Sequence, residues 1–239
     1  MRLLDVQATD TGIAQLAHRR ATLPEHGVIS TLSAERAAAA ADLIKAQTAV
    51  SDLESDTSRA ERDLEPVRDR LTRNEKRIAD GTIADPKALS GLIEEVAHLH
   101  RRIGELEDQE LELMEQLEQA GRDRDACQAR VAEIDTRLAE LTATRDAKVA
   151  KLAAQTAELA RERAGLVPDV PADLLALYGK LAASHGGVGA AELKARRCTG
   201  CQLEVNAADL RVIAAAPADE VLRCEECGRI QVRTSASGI

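Results

Sequence analysis

The chain has 239 residues, a net charge of −9, 31% charged residues, one Tyr and neither Phe nor Trp. A large globular core is disfavoured without aromatics, which supply much of the buried area in cores, whereas the Ala-, Leu-, Glu- and Arg-rich composition suits long helices in coiled-coil packing. The negative charge argues against non-specific coating of nucleic acid, and no apolar run reaches membrane-spanning length or resembles a signal peptide.

Residues 3–22 read as a first helix, with Leu3, Val6, Ile13, Leu16 and Leu23 near one seam and Pro24 to Gly27 as its end. Residues 29–79 read as a second. Its seam runs Ile29, Leu32, Arg36, Ala39, Leu43, Ala46, Val50, Leu53, Thr57, Ala60, Leu64, Val67, Leu71, Asn74 and Ile78, alternating steps of three and four as a heptad repeat does. Pro66 lies inside it and removes one backbone hydrogen bond, so a kink is expected there. Residues 80–85 form a turn, after which Asp85 as N-cap and Pro86 at the first helical position restart the helix.

The third helix has the clearest seam, from Leu89, Leu92, Val96, Leu99, Ile103 and Leu106 through Cys127, Val131, Ile134, Leu138 and Leu141, interrupted by Glu110 and Arg124. It weakens through Leu152 and Leu159 and stops near Gly165 and Pro168. At 1.5 Å per residue the second helix would be about 77 Å long and the third about 118 Å. Folded back on each other they leave an overshoot of about 40 Å, which the first helix, about 30 Å long, could cover. An intermolecular coiled coil would bury the same seam, so monomer and dimer stay open. Cys127 reads as a small buried hydrophobe. His98 and His100, two apart on a helix, face different directions.

Residues 166–171 read as a linker and 172–183 as a short helix. Tyr178 is expected to pack where that helix meets the C-terminal region, followed by a flexible break at His185 to Gly189. Strands are expected at Ala191–Arg197, Leu203–Val205 and Ile230–Thr234, and a short helix within Asn206–Ala216 with Leu210 and Ile213 inward. The tail from Ser235 reads as disordered.

Two Cys-x-x-Cys pairs, Cys198 with Cys201 and Cys224 with Cys227, are separated by 22 residues. Each pair can make one tight turn that points two sulfurs at a common centre, and Gly200 and Gly228 suit such turns. Four thiolates are the tetrahedral soft set that Zn²⁺ prefers, so one structural zinc is favoured over redox disulfides or a lone iron. Metal-type spacing with one odd Cys also fits a reducing cytoplasm. The fold class is therefore mainly α: a long antiparallel coiled-coil hairpin, three-helical at its base (1–165), a linker with a short helix (166–187) and a small C-terminal β zinc ribbon (188–239).

Charge is segregated. Residues 103–120 hold seven acids and no Lys or Arg, while Arg70, Arg73, Lys76 and Arg77 approach the hairpin tip. On the ribbon, Lys194, Arg196 and Arg197 lead into the first Cys pair, and Arg223, Arg229 and Arg233 bracket the second. These cations could contact phosphates and base edges, or merely offset the formal charge of a four-thiolate zinc site. Base stacking is not an obvious mode without aromatics.

The stretches Asp85-Pro86-Lys87-Ala88-Leu89, Leu106 to Glu115, and Cys224-x-x-Cys227-Gly228-Arg229-Ile230 make the chain resemble the bacterial C4-type zinc-ribbon proteins with a coiled-coil N-terminus, the DUF164 family. The aromatic-free ribbon and Ala-rich helices look like its actinobacterial branch. Gln231-Val232 stands where the family usually has an apolar pair such as Leu-Tyr, which implies a less tightly packed last strand. The resemblance implies a helical hairpin with a zinc ribbon and, for some relatives, adaptor roles toward RNA or a sigma factor in flagellar or secretion gene control.

No Walker-type loop, His-Glu-x-x-His motif or nucleophile–base pair occurs, so the expectation is a non-enzymatic protein. Two readings remain open: a nucleic-acid-binding or regulatory module taking RNA or DNA on the ribbon, and a protein-interaction adaptor docking through hairpin tip and ribbon.

Overall fold

The computed structural model describes residues 2–239. The long heptad seams dictate the architecture: a narrow apolar stripe cannot be buried within one helix and needs a partner. Helix α1 (Arg2–Ala21) is followed by α2 (Pro24–Ala79) and α3 (Pro86–Leu166). Pro24 to Gly27, expected to end the first helix, instead open the second. Pro24 takes the first helical position, where a missing N–H costs nothing. Helix α2 continues through Pro66 without interruption.

The chain divides into two compact units, one of Val28–Leu141 and one of Met1–Gly27 with Thr142–Ile239. The first is the antiparallel hairpin of α2 and α3. Every seam position of α2 from Ile29 is buried or half-buried except Arg36, which is exposed and pairs with Asp135 across the hairpin at 2.8 Å. The α3 seam from Leu89 to Leu141 is likewise covered throughout, with Cys127 half-buried. Leu64 packs on Ile103 and Leu106, and Leu32 and Ala39 pack on Ile134. At the turn, Gly81 takes a left-handed conformation (φ +62°) and the Asp85 carboxylate accepts the Lys87 backbone N–H at 3.0 Å, capping α3.

In the second unit α1 packs beside the end of α3, and Lys148 of α3 pairs with Glu25 in the first turn of α2, a three-helical base. A 3-10 turn (Val167–Asp169) leads to α4 (Ala172–Ser184), then β1 (Ala190–Lys194), β2 (Arg197–Cys198), α5 (Ala207–Ala215), β3 (Leu222–Arg223) and β4 (Ile230–Arg233). The sheet order is β2-β1-β4-β3, with β1 and β4 parallel and the outer pairs antiparallel. Leu3 and Val6 of α1, Tyr178 and Leu181 of α4, Ala190 and Ile230 form one core, so Tyr178 sits where α4 meets the ribbon.

Three local readings change. Leu203–Val205 makes only an isolated bridge, Arg197 to Glu204, while Leu222–Arg223 forms an edge strand. The Gly-rich segment after His185 is pinned by one side chain: Gln7 donates to the Gly187 carbonyl at 2.9 Å and accepts from the Gly189 and Ala190 N–H groups at 2.8 and 3.2 Å. Ser237 in the tail is 2% exposed, and the Ala236 and Ser237 carbonyls accept the N–H groups of Ala195 and Arg196. Composition marks such stretches as loops but says nothing of which backbone groups they satisfy.

Candidate metal centre and its basic surround

Two knuckles repeat one hydrogen-bond scheme. The Cys198 N–H donates to the Leu203 carbonyl (3.0 Å) and the Gln202 N–H returns to the Cys198 carbonyl (2.8 Å). The Cys224 N–H donates to the Arg229 carbonyl (3.0 Å) and the Gly228 N–H returns to the Cys224 carbonyl (2.7 Å). The residue after each second cysteine is left-handed: Gly228 at φ +67° and Gln202 at +65°. Glycine meets that demand freely and glutamine does not; the Gln202 amide donates to the Thr199 carbonyl at 2.6 Å, bridging its own turn. Gly200 serves close approach instead, because a Cβ there would lie 2.7 Å from Arg229 Cδ.

The knuckles bring all four Sγ atoms within 4.8 Å of one another, with Cys198 to Cys227 and Cys201 to Cys224 at 3.9 Å. A tetrahedron with Zn–S bonds of about 2.3 Å has S···S edges of about 3.8 Å, so the four sulfurs fit one structural Zn²⁺. The set is closed: four protein ligands leave no coordination position for a substrate. Burial pushes the Cys198 thiol up and the Cys224 thiol up to about 12. Burial also opposes ionisation of Cys227, but hydrogen bonds from the Arg229 backbone and side chain bring that thiol down to about 7.

The six ribbon cations separate by what holds them. Arg229 donates from Nε to the Val188 carbonyl (2.9 Å) and from Nη2 to the His185 carbonyl (3.2 Å), tying the second knuckle to the end of α4. Arg233 donates to the carbonyls of Ile213 and Ala216 (both 2.7 Å) and of Pro217, capping the C-terminus of α5. Arg223 spends Nε on the Gly228 carbonyl (2.9 Å) and Arg196 spends Nε on that of Gly238 (3.2 Å), both from exposed positions. Arg197 faces Glu204 at 3.8 Å, and Lys194 is exposed. Near the hairpin tip, Arg70 pairs with Glu95 and Arg73 lies 4.0 Å from Asp69, whereas Lys76 and Arg77 make no ion pair among the described residues.

Other groups organise the unit. Asp10 accepts from the Tyr178 hydroxyl at 2.8 Å and from Arg163, joining α1, α3 and α4. In the sequence Asp10 only interrupts an apolar seam; its three-way junction depends on residues more than 150 positions away. Arg211 of α5 is a further cation, recognisable beforehand only from the outer face of that short helix.

A long helical hairpin carrying a C4 zinc ribbon is the class these features define. Residues 6–186 match the CT398-like coiled coil hairpin domain and residues 197–230 the C4-type zinc ribbon domain, and the chain belongs to this CT398-like hairpin family. An uncharacterized protein of Mycobacterium tuberculosis is 31% identical over 231 residues, covering 97% of this chain and 94% of the relative. A solved structure from Mycobacterium smegmatis matches with a TM-score of 0.83 at 33% identity, covering 98% of this chain and 96% of that one. CT398 from Chlamydia trachomatis matches with a TM-score of 0.67 at 14% identity over 98% and 96% of the two chains, a likeness of fold alone. The mycobacterial relatives agree with an actinobacterial-type member. Among the described residues no helix is long and apolar enough to cross a membrane.

Proposed function

We propose that the chain is a non-enzymatic protein-interaction adaptor of a reducing, cytoplasmic compartment, with residues 1–165 as a hairpin spacer, 166–187 as a linker and 188–239 as a zinc-held docking ribbon. One observation carries this reading: the ribbon exposes Leu203, Val212, Val221 and Ile239, each at least 45% accessible. Of the nine large apolar side chains exposed among the described residues, four lie on this small domain, a density that favours protein contact and offers little to a phosphate backbone. The commitment of Arg229 and Arg233 to internal carbonyls supports the same reading, because it breaks the stripe of cations that a nucleic-acid track would use. The closed zinc set supports a structural role over catalysis. Lys76 and Arg77, near the hairpin turn and without an ion pair among the described residues, are the candidate contacts of a second docking end.

A second reading keeps support from Lys194, Arg196 and Arg197, exposed in succession around the β1–β2 turn. Equilibrium binding of mixed-sequence RNA and matching DNA to the zinc-loaded chain, from low to physiological salt, separates the two. The adaptor reading expects no micromolar complex at physiological salt. Micromolar binding that weakens steeply with salt and is lost in Arg196→Ala/Arg197→Ala would establish the nucleic-acid reading instead.

A further inference from the structure

Helix α5 has two faces. Ile213 is buried in the ribbon at 5% exposure and Leu210 is half-buried, while Ala207, Arg211 and Ala214 are exposed at helical spacing. Opposite them stand Arg196 from the β1–β2 turn and Ile239 from the tail, and the space between is a groove of about 550 Å³. Its floor is apolar and low, because two alanines flank Leu210, so a backbone can approach closely.

The two arginines are set in a way that matters for recognition. Arg196 occupies a two-residue hairpin turn with Ala195 in which both are left-handed, at φ +63° and +47°. Glycine and asparagine normally fill such turns, and other residues are strained there. The tail holds the turn: Ala236 and Ser237 accept its two N–H groups at 2.8 and 2.9 Å, and the buried Ser237 hydroxyl donates to the Leu193 carbonyl at 2.9 Å. Arg196 Nε is then anchored on the Gly238 carbonyl, and Arg211 Nε on the Ala207 carbonyl, both at 3.2 Å. In each guanidinium the inner nitrogen is used, and the two terminal nitrogens make no hydrogen bond among the described residues. An oriented guanidinium with a free outer edge suits a carboxylate.

Resting on the adaptor reading above, we propose that this groove receives an acidic, apolar peptide segment of a partner protein. Its Asp or Glu side chains pair with Arg196 and Arg211, and its apolar side chains lie on Ala207, Leu210, Ala214 and Ile239. A phosphate could also meet the two guanidinium groups. The apolar floor and the lack of any exposed aromatic for base stacking favour the peptide. The groove also places cations on a chain whose net charge is −9, so it offers an acidic segment a local attraction that the chain as a whole does not.

The test is fluorescence anisotropy on the full, zinc-loaded chain with three probes: a short synthetic peptide of Asp, Glu, Leu and Ala, its Asn/Gln counterpart, and a single-stranded RNA of similar length. The acidic peptide is expected to bind best, to weaken about tenfold in Arg196→Ala and again in Arg211→Ala, and to be lost in Ala214→Glu. Lys151→Ala, at an exposed position of α3 outside the groove, leaves it unchanged. Ala214 and Arg211 are exposed on α5, so these variants keep the fold, and unchanged zinc content verifies that. Equal binding of acidic and neutral peptides, or indifference to the Arg211 and Ala214 changes, overturns the proposal. Tighter RNA binding with the same arginine dependence overturns it together with the adaptor reading. If the acidic peptide fails while a purified partner crosslinks at Val221 or the hairpin tip, the groove assignment falls and the adaptor reading stands.

Discussion

Gln231 lies in β4 between β1 and β3, is 3% exposed, and neither its amide nitrogen nor its amide oxygen has a hydrogen-bond partner among the described residues. A buried, unsatisfied carboxamide costs about 1–3 kcal/mol, and an apolar replacement of similar size removes that cost. Gln231→Leu is therefore expected to raise ribbon stability by about 1–3 kcal/mol in urea melts at fixed zinc; a fall would mean that the amide has a partner. The departure from the family's apolar pair was visible in the sequence, whereas the unpaired amide needs the sheet order to be seen. Tyr178 gives a second test. Burial, and then its hydrogen bond to the Asp10 carboxylate, hold its hydroxyl well above the usual value near 10. As the only Tyr it should show no phenolate absorbance at pH 10 to 11 while folded. The unfolded chain ionises first as pH rises, so this group's contribution to stability is complete below pH about 10 and declines above it. Half-ionisation near pH 10 in the folded chain would contradict the buried geometry.

The helices were readable because one signal, the three-four apolar step, is repeated from Ile29 to Ile78 and from Leu89 to Leu141. The ribbon was readable only at its ligands. Edge strand β3 is two residues long and carries no periodicity. Pro24 stops a helix or starts one depending on which residue the preceding helix ends on, and α1 already ends at Ala21. The tail, Ser-Ala-Ser-Gly-Ile, has the composition of a disordered end, but its order rests on backbone acceptors for a strained turn, which composition does not encode. Ser237 is the clearest probe. Its hydroxyl donates to the Leu193 carbonyl and accepts the Thr234 N–H, both at 2.9 Å. Ser237→Ala leaves both unpaired, with an expected loss of about 1–3 kcal/mol from the ribbon. Ser235→Ala, at an exposed position, should stay within about 0.5 kcal/mol of the parent. Equal melts for the two variants would show that the tail does not brace the turn.

At the scale of the molecule, zinc sets which parts stand or fall together. The hairpin unit from Val28 to Leu141 buries its own seam and includes none of the four ligands. The other unit shares one core among α1, α4, β1 and β4, and Gln7 ties α1 to the first strand of the ribbon. Loss of the metal should therefore weaken more than residues 188–239. On chelation, or in Cys198→Ser or Cys227→Ser, hydrogen exchange is expected to accelerate throughout the ribbon and also in α1 and α4. Protection in residues 28–141 and most far-UV helicity should persist. Acid should act in the same direction. Zinc binds thiolates, and without the metal burial raises the Cys198 thiol and pushes the Cys224 thiol up to about 12, so protons compete for at least these two ligands at and below neutrality. With more than one proton displaced per metal, zinc affinity should fall by more than about tenfold for each unit of pH lowered from 7 toward 5. A single cooperative collapse of all helicity on zinc removal would show that the hairpin depends on the metal after all, and that the two units share one stability.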